Sequence, residues 1–174
     1  MACKFSENLE SNNLYFRPFC ESEATDMFEY ASDLETVKYL SWSPHTKVEQ
    51  SLESIVGVLN RNGVYAIVLK SKNKVIGCID FELLEDKKAT FGYVLNREYW
   101  NRGYMSETLS FFIDYIFNNL DIVEIIGLHE VDNIASGKVM QKCNMNFKYC
   151  IKDENINNKI ADYNHYSIKK SEFN

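Results

Sequence analysis

The spacing of apolar residues changes period several times along the chain, and each change predicts a new element of secondary structure. Apolar residues recur at intervals of three to four in segments after Ser22, on both sides of Pro44, after Gly103 and after Asn133, which is the spacing of an amphipathic helix. Ser22 and Asn133 are side chains that can cap a helix amino terminus. The predicted buried faces are Ala24, Met27, Phe28 and Ala31; Val37 and Leu40; Val48, Leu52, Ile55, Val56 and Leu59; Leu109, Phe112, Ile113, Ile116 and Leu120; Ala135, Val139, Met140 and Cys143.

Other segments have the alternation or the short apolar runs of β-strands. Three such segments follow one another with short polar links, which predicts an antiparallel meander. A mainly apolar segment at 122–131 predicts a buried strand, and a polar loop at 153–159 is expected between the last two strands. The predicted strands are 14–19, 64–70, 74–84, 89–95, 122–131, 145–151 and 160–168.

This order predicts one α/β domain spanning residues 1–174, with a mixed, mostly antiparallel central sheet flanked by helices. The net charge of −6, without a long basic run, argues against a nucleic-acid partner and favours a cationic one. No apolar stretch approaches the roughly 20 residues that span a bilayer, and the amino terminus lacks a signal-peptide core, so no membrane contact and a cytoplasmic location are expected. The five cysteines have no C-x-x-C pair and are interpreted as small, half-buried apolar residues, and His129 and His165 lack partners at metal-ligand spacing, so no metal site is expected.

The junction between the third meander strand and the long helix carries the candidate chemistry. Its sequence, from Gly92 to Glu107, is GYVLNREYWNRGYMSE. A helix amino terminus exposes unpaired N–H groups and a partial positive charge, so the segment from Arg102 to Ser106 predicts an anion site that suits a pyrophosphate. Gly103 permits a backbone angle or a close approach that other residues avoid.

This junction resembles the GCN5-related N-acetyltransferases (GNAT family), in the branch that acetylates the amino termini of ribosomal proteins. The family's pyrophosphate loop, Arg/Gln-x-x-Gly-x-Gly/Ala, is similar to WNRGYM at 100–105, where Met105 departs from the usual small residue. NIASGKVMQKCNM at 133–145 is similar to the branch's helix motif, with Asn144 in place of the terminal glycine, and LYFRP at 14–18, SD at 32–33, VKYL at 37–40 and WSPH at 42–45 give a third match. The resemblance covers residues 14–168.

The resemblance implies a GNAT fold and direct transfer of an acetyl group from acetyl-CoA to a primary amine in a ternary complex. It places acetyl-CoA on the backbone of Val94 and Leu95, on the pyrophosphate loop, on the helix that starts at Asn133, and near Lys142. The implied cofactor-binding residues are Val94, Leu95, Arg102, Gly103, Tyr104, Met105, Ser106, Asn133, Ser136 and Lys142.

An amine acceptor must lose a proton, and the departing CoA thiolate is helped by an acid. Strand phase puts Asp80 and Glu82 on one face, so either could serve as the base if that face lines the acceptor cleft, while Glu130 is the rival because it lies just before Asn133. Glu82 and Glu130 rank as equals, and Asp80 is retained as a substrate contact. The tyrosine acid of many relatives corresponds to Met140, which leaves Ser136 as the candidate acid.

Tyr39, Trp42 and His45 lie in the segment that is near the acceptor in the family, where aromatic rings suit a peptide end or a cation. The acceptor stays open between a peptide amino terminus and a small-molecule amine, and the aromatic content leaves a homodimer open. The alternative to an enzyme is a non-catalytic acyl-CoA-binding or regulatory module.

Overall fold

The structure, a computed structural model, describes residues 9–156 and 159–173. Within these residues five α-helices and eight strands alternate in the predicted order, with a short strand added at the start. Short 3-10 turns lie at Glu21–Glu23, Arg97–Tyr99 and Lys170–Glu172. The elements are β1 Leu9–Glu10, β2 Leu14–Arg17, α1 Ala24–Ala31, α2 Leu34–Val37, α3 Val48–Val56, β3 Val64–Leu69, β4 Lys74–Leu84, β5 Lys88–Leu95, α4 Tyr104–Asn119, β6 Glu124–Glu130, α5 Ile134–Lys142, β7 Asn146–Ile156 and β8 Lys159–Lys169.

The strands form one mixed sheet in the order β1-β2-β3-β4-β5-β6-β8-β7, which confirms the predicted mostly antiparallel α/β fold. Only β5 and β6 pair in parallel among the registers found in the described residues. The chain divides into two compact units, and β4 and β5 contribute residues to both.

The first unit comprises the residues up to Phe81 together with Gly92–Tyr104. Its strands β2, β3 and β4 pair in antiparallel fashion, with an irregular register between Ile67 and Val68 opposite Gly77. Two helices supply apolar side chains that pack with those of the strands. This core consists of Ala24, Met27, Tyr30, Ala31, Ile55, Ala66, Val68 and Val75, with Trp42, Val48, Leu52 and Val94 packed against it.

The second unit comprises Glu82–Phe91 together with the residues from Met105 onward. The beginning of β5 pairs with β6, β6 pairs with β8, and β8 pairs with the edge strand β7. Helix α4 buries most of the predicted stripe, since Leu109, Phe112, Ile113 and Ile116 are at most 1% exposed, while Leu120 follows the helix and is half-buried. Its buried face confirms the helical spacing read from the chain.

Several local predictions were wrong. Tyr30, rather than Phe28, is fully buried on α1, and Ser22 lies in a 3-10 turn instead of capping the helix. Helix α3 ends at Val56, which was predicted to be buried but is 48% exposed. The buried side of this helix is formed by Ser51 and Ile55, and Val56 points away from it.

Strands near the carboxyl terminus also differ from the expectation. β6 alternates between buried and half-buried residues, because it belongs to a sheet with different surroundings on its two faces. β7 continues to Ile156 through most of the predicted polar loop, because its backbone pairs with β8; the rest of that loop includes 157 and 158, which lie outside the described residues.

Cys20 and Cys150 are exposed, while Cys78 and Cys143 are buried, and Cys3 lies outside the described residues. None of the helices formed by the described residues has the length and hydropathy that a membrane crossing requires.

Candidate functional site

A short turn connects the end of β5 to the beginning of α4 and is held closed by side chains of its own. The indole N–H of Trp100 donates to the Leu95 carbonyl oxygen at 2.7 Å. The Asn96 side chain accepts from the backbone N–H of Glu98 at 3.0 Å and so caps the 3-10 turn. These two contacts hold the backbone of the turn that follows the strand.

The beginning of α4 has the features of an anion site. Asn101 and Gly103 have positive φ angles of 59° and 84°, and a Cβ built on Gly103 would meet no atom within 4 Å. The Arg102 guanidinium lies 5.5 Å from the centre of the Tyr99 ring and is exposed. Because the first N–H groups of a 16-residue helix have no partners inside it, positive charge and open space coincide here. The turn therefore fits the pyrophosphate of a nucleotide cofactor.

The remaining residues of the predicted loop differ in what they can offer. The ring of Tyr104 lies 6.4 Å from the ring of Tyr99. The Met105 side chain is buried, so only its backbone can meet a ligand. Ser106 is half-buried, and its carbonyl oxygen accepts from the Cys143 thiol at 3.4 Å. Burial raises the pKa of that thiol to about 11, so Cys143 is protonated at neutral pH.

Val94 and Leu95 have different backbone environments at the end of β5. A Cβ built on Gly77 of β4 would lie 2.3 Å from the Val94 carbonyl oxygen, which shows how closely the two strands approach. The N–H of Asn96 donates to the Ile76 carbonyl of β4 at 2.8 Å. Since successive strand residues direct their backbone groups to opposite sides, those of Leu95 face away from β4. Its carbonyl is already bonded to Trp100, which leaves its N–H as the group that can meet a ligand.

The connection from β6 to α5 brings Glu130, Asn133 and Ser136 together. The N–H of Asn133 donates to the Glu130 carbonyl at 2.8 Å, and the Asn133 side chain accepts from the N–H of Ser136 at 3.3 Å. Asn133 thus caps α5, as its position in the sequence predicts. Lys142 is exposed in the last turn of this helix, and Met140 is 1% exposed.

The candidate bases differ in their surroundings. The Asp80 carboxylate pairs with Arg61 at 2.7 Å, and Glu82 is exposed. The Glu130 side chain is 13% exposed and pairs with Lys159. Ion pairs therefore occupy the carboxylates of Asp80 and Glu130, whereas the Glu82 carboxylate is open to solvent.

The predicted acceptor segment lies in the first unit, where part of it is packed into the fold. Trp42 contacts the core, and its ring lies 5.2 Å from that of His45. His45 Nδ1 lies 2.8 Å from the hydroxyl of Ser51, and burial lowers the pKa of this histidine. The Lys38 ammonium lies 5.1 Å from the centre of the Tyr39 ring, so that ring already meets a cation.

His129 lies beside the candidate base Glu130 and was not among the site residues predicted from the chain. It is 6% exposed, and its Nδ1 donates to the Glu130 carbonyl at 2.7 Å. Two signals could have identified it: the two-residue alternation with Ile125 and Gly127, and a glycine, Gly137, inside the following helix. Within the described residues no group of three or more histidine, cysteine or acidic side chains could hold a metal ion.

Comparison with known proteins gives a consistent result. The family model of the acetyltransferase (GNAT) domain matches residues 13–146 of this chain. The uncharacterized N-acetyltransferase p20 of Bacillus licheniformis is 29% identical over 96% of this chain and 98% of the relative. An acetyltransferase of the GNAT family from Bacillus anthracis superposes with a TM-score of 0.85 at 23% identity, covering 94% of this chain and 99% of the other.

A further solved structure holds coenzyme A. RimL, a ribosomal alpha-N-protein acetyltransferase in complex with coenzyme A, superposes with a TM-score of 0.78 at 25% identity, covering 94% of this chain and 98% of the other. The matched family model includes β5, the turn before α4 and the cap of α5, which are the segments whose geometry suits a nucleotide cofactor. This chain accordingly belongs to the GNAT family and is an acetyl-CoA-dependent acyltransferase.

Proposed function

We propose that the protein transfers the acetyl group of acetyl-CoA directly to a primary amine, on a peptide amino terminus or a small cationic molecule. The observation that carries this proposal is the open, positively charged beginning of α4 at Arg102 and Gly103. RimL is named for action on alpha-amino groups of a protein, which supports the peptide acceptor. The net charge of −6 favours an acceptor that carries positive charge. We further propose that residues 1–174 act as one domain in the cytoplasm.

In this proposal the backbone N–H groups from Arg102 to Ser106 bind the pyrophosphate, and the Arg102 side chain adds a positive charge. The N–H of Leu95 and the Asn133 side chain bind the pantetheine arm. Lys142 reaches the adenosine phosphates. These contacts hold the thioester still, and such positioning supplies a large part of the rate of a two-substrate reaction.

The proton transfers are assigned to a carboxylate and a hydroxyl. Glu130 or Glu82 takes one proton from the acceptor ammonium, and the amine then attacks the acetyl carbonyl while the carbon–sulfur bond breaks. The second N–H proton is lost from nitrogen as the amide forms and goes to the CoA thiolate, so the products are the amide and the CoA thiol. The Ser136 hydroxyl donates a hydrogen bond to the departing thiolate. Glu130 is adjacent to the Asn133 cap, and Lys159 must leave its carboxylate before an acceptor ammonium can bind there.

Tyr39, Trp42, His45 and Asp80 are proposed to contact the acceptor. Aromatic faces attract ammonium groups, and Asp80 supplies a negative charge once Arg61 moves away. A panel that varies the charge of the acceptor tests this part of the proposal.

The experiment measures thiol release from acetyl-CoA with peptides, polyamines, amino acids and aminoglycosides, and measures CoA binding on the same sample. Turnover with one acceptor class supports the proposal and identifies the substrate class. Binding without turnover across the panel favours an acyl-CoA-binding module, and the absence of CoA binding would contradict the site itself. Light scattering on the sample tests whether the protein is a monomer or a homodimer.

Two arginines of one turn provide a matched pair of variants. Arg102→Ala removes the charge at the beginning of α4 and is expected to raise the KM for acetyl-CoA about tenfold, because charge-assisted contacts to phosphate are strong. Arg97→Ala removes a second exposed charge, which pairs with Asp33 at 3.1 Å, and little change in KM is expected. Equal effects of the two variants would show that Arg102 has no particular role.

A further inference from the structure

A buried histidine packs against the helix that carries two of the proposed acetyl-CoA contacts. His129 lies at the end of β6, and its Nδ1 donates to the Glu130 carbonyl. A carbonyl oxygen can only accept, so Nδ1 carries a proton. Nε2 is buried and has no hydrogen-bond partner among the described residues. A buried polar atom without a partner costs free energy, so the burial of this ring calls for an explanation.

The ring edge fits a space that a glycine leaves in α5. A Cβ built on Gly137 would lie 2.7 Å from Nε2 and 3.1 Å from Cε1 of His129. Glycine weakens a helix interior, so a glycine here calls for a packing reason, and the imidazole supplies one. The ring also lies beside that of Tyr166, at 5.6 Å between ring centres, and the Tyr166 hydroxyl accepts from Gln141 of α5 at 3.1 Å. The imidazole thus contacts two groups that are themselves tied to α5.

One carbonyl oxygen connects the histidine to the cap of α5. The Glu130 oxygen accepts both from His129 Nδ1 at 2.7 Å and from the N–H of Asn133 at 2.8 Å. Asn133 in turn accepts from the N–H of Ser136. A change in the direction of this carbonyl therefore moves the cap and the first turn together.

We propose that His129, matched to Gly137, is a positioning residue that sets the first turn of α5 and with it Asn133 and Ser136. The inference rests on the proposed function, in which those two residues contact acetyl-CoA. The hydrogen bond from Nδ1 fixes the direction of the Glu130 carbonyl, and the edge of the imidazole ring fixes the distance between β6 and α5 at Gly137. His129 itself does not touch the substrate.

Two amide substitutions separate the two halves of this role. His129→Asn places an amide N–H near the position of Nδ1 and keeps the bond to Glu130, whereas His129→Gln extends toward Gly137 and loses that donor. CoA binding measured by calorimetry is expected to weaken about tenfold in His129→Gln and less than about threefold in His129→Asn, because a small misplacement of a contact has a large effect. His129→Phe, which keeps a ring but no donor, is expected to behave like His129→Gln.

A double-mutant cycle tests the contact with the glycine. Gly137→Ala alone is expected to weaken CoA binding about tenfold, because its methyl group displaces the imidazole. In the His129→Asn background the same change is expected to cost less than about threefold, because the shorter side chain leaves space. Such non-additive effects on CoA binding would show that His129 and Gly137 act through their contact.

The readouts distinguish positioning from a general loss of stability. The KM for acetyl-CoA is expected to rise while the KM for the amine stays constant, and thermal unfolding shows that each variant is folded at the assay temperature. His165→Asn serves as the matched control, since it removes another buried histidine, one that pairs with Glu154 at 2.6 Å, and it is expected to lower stability without weakening CoA binding.

The inference fails if the two substitutions are additive, or if His129→Asn and His129→Gln bind CoA equally well. It also fails if the KM values for acetyl-CoA and for the amine rise together. These results differ from failure of the proposed function, in which the wild-type protein itself neither binds CoA nor releases thiol.

Discussion

Replacing Gly77 with alanine tests the close approach of β4 to β5 at the residues proposed to hold the pantetheine arm. The added methyl carbon would lie 2.3 Å from the Val94 carbonyl oxygen and 3.1 Å from the Leu95 Cα. Ordinary contact begins near 3.4 Å, so the backbone of β5 must move by about 1 Å. Neither obstructing atom belongs to a side chain that could rotate away.

Two magnitudes follow from this displacement. Overpacking of this kind costs about 1–3 kcal/mol of the free energy of unfolding. If the Leu95 N–H positions the thioester, a shift of about 1 Å is expected to lower kcat/KM for acetyl-CoA about a hundredfold. The expected fall in kcat/KM is therefore larger than unfolding of part of the protein would cause.

The assay combines urea unfolding with steady-state kinetics, and Gly92→Ala is the comparison variant. A Cβ on Gly92 would lie 2.8 Å from Oδ1 of Asp80, which is a side-chain atom that can rotate away. The change costs at most the exposed Asp80–Arg61 pair, about 1 kcal/mol or less. If Gly77→Ala retained the wild-type kcat/KM for acetyl-CoA, or if Gly92→Ala lowered it as much at a saturating concentration of the amine, the assignment of β5 as the cofactor strand would be refuted.

Three further changes have expected outcomes. Trp100→Phe leaves the Leu95 carbonyl unpaired; it is expected to cost about 1 kcal/mol in urea unfolding and to raise the KM for acetyl-CoA severalfold, and an unchanged KM would contradict the role of the turn. Burial lowers the pKa of His45, so the folded protein binds a proton less readily than the unfolded chain. The free energy of unfolding is therefore expected to fall as the pH falls from about 7 to 5. His45→Asn should flatten this dependence in unfolding experiments at several pH values. Asn144 ends α5 with a φ of 60°, so Asn144→Gly should stabilise by about 0.5 kcal/mol and Asn144→Ala should destabilise by about 1 kcal/mol, whereas equal effects would exclude backbone strain as the cause.

Local patterns predicted the elements well where a single face of each element is buried. The stripe on α4 is buried as its spacing indicates, and β4 runs from Lys74 to Leu84 as predicted. Prediction failed where neighbours decide burial. Val56 has the right spacing for the core yet is exposed, and β7 passes through a polar segment because β8 supplies hydrogen-bond partners.

The candidate site divides in the same way. Arg102, Gly103 and Asn133 could be identified from the chain because a helix amino terminus has the same unpaired N–H groups in any fold. The carboxylates could not be ranked, since the availability of a base depends on its ion-pair partners. Arg61, which pairs with Asp80, and Lys159, which pairs with Glu130, come from distant parts of the chain.

The sequence by itself determined the class of fold and the order of the elements, and it predicted an anion site at the beginning of α4, because these depend on residues close together along the chain. Only the tertiary structure decided which backbone groups of β5 are already bonded, which acids are paired, and that His129 lies against Gly137. Each of these depends on contacts between residues that are adjacent in space, and the directions and distances of such contacts are set when strands and helices pack.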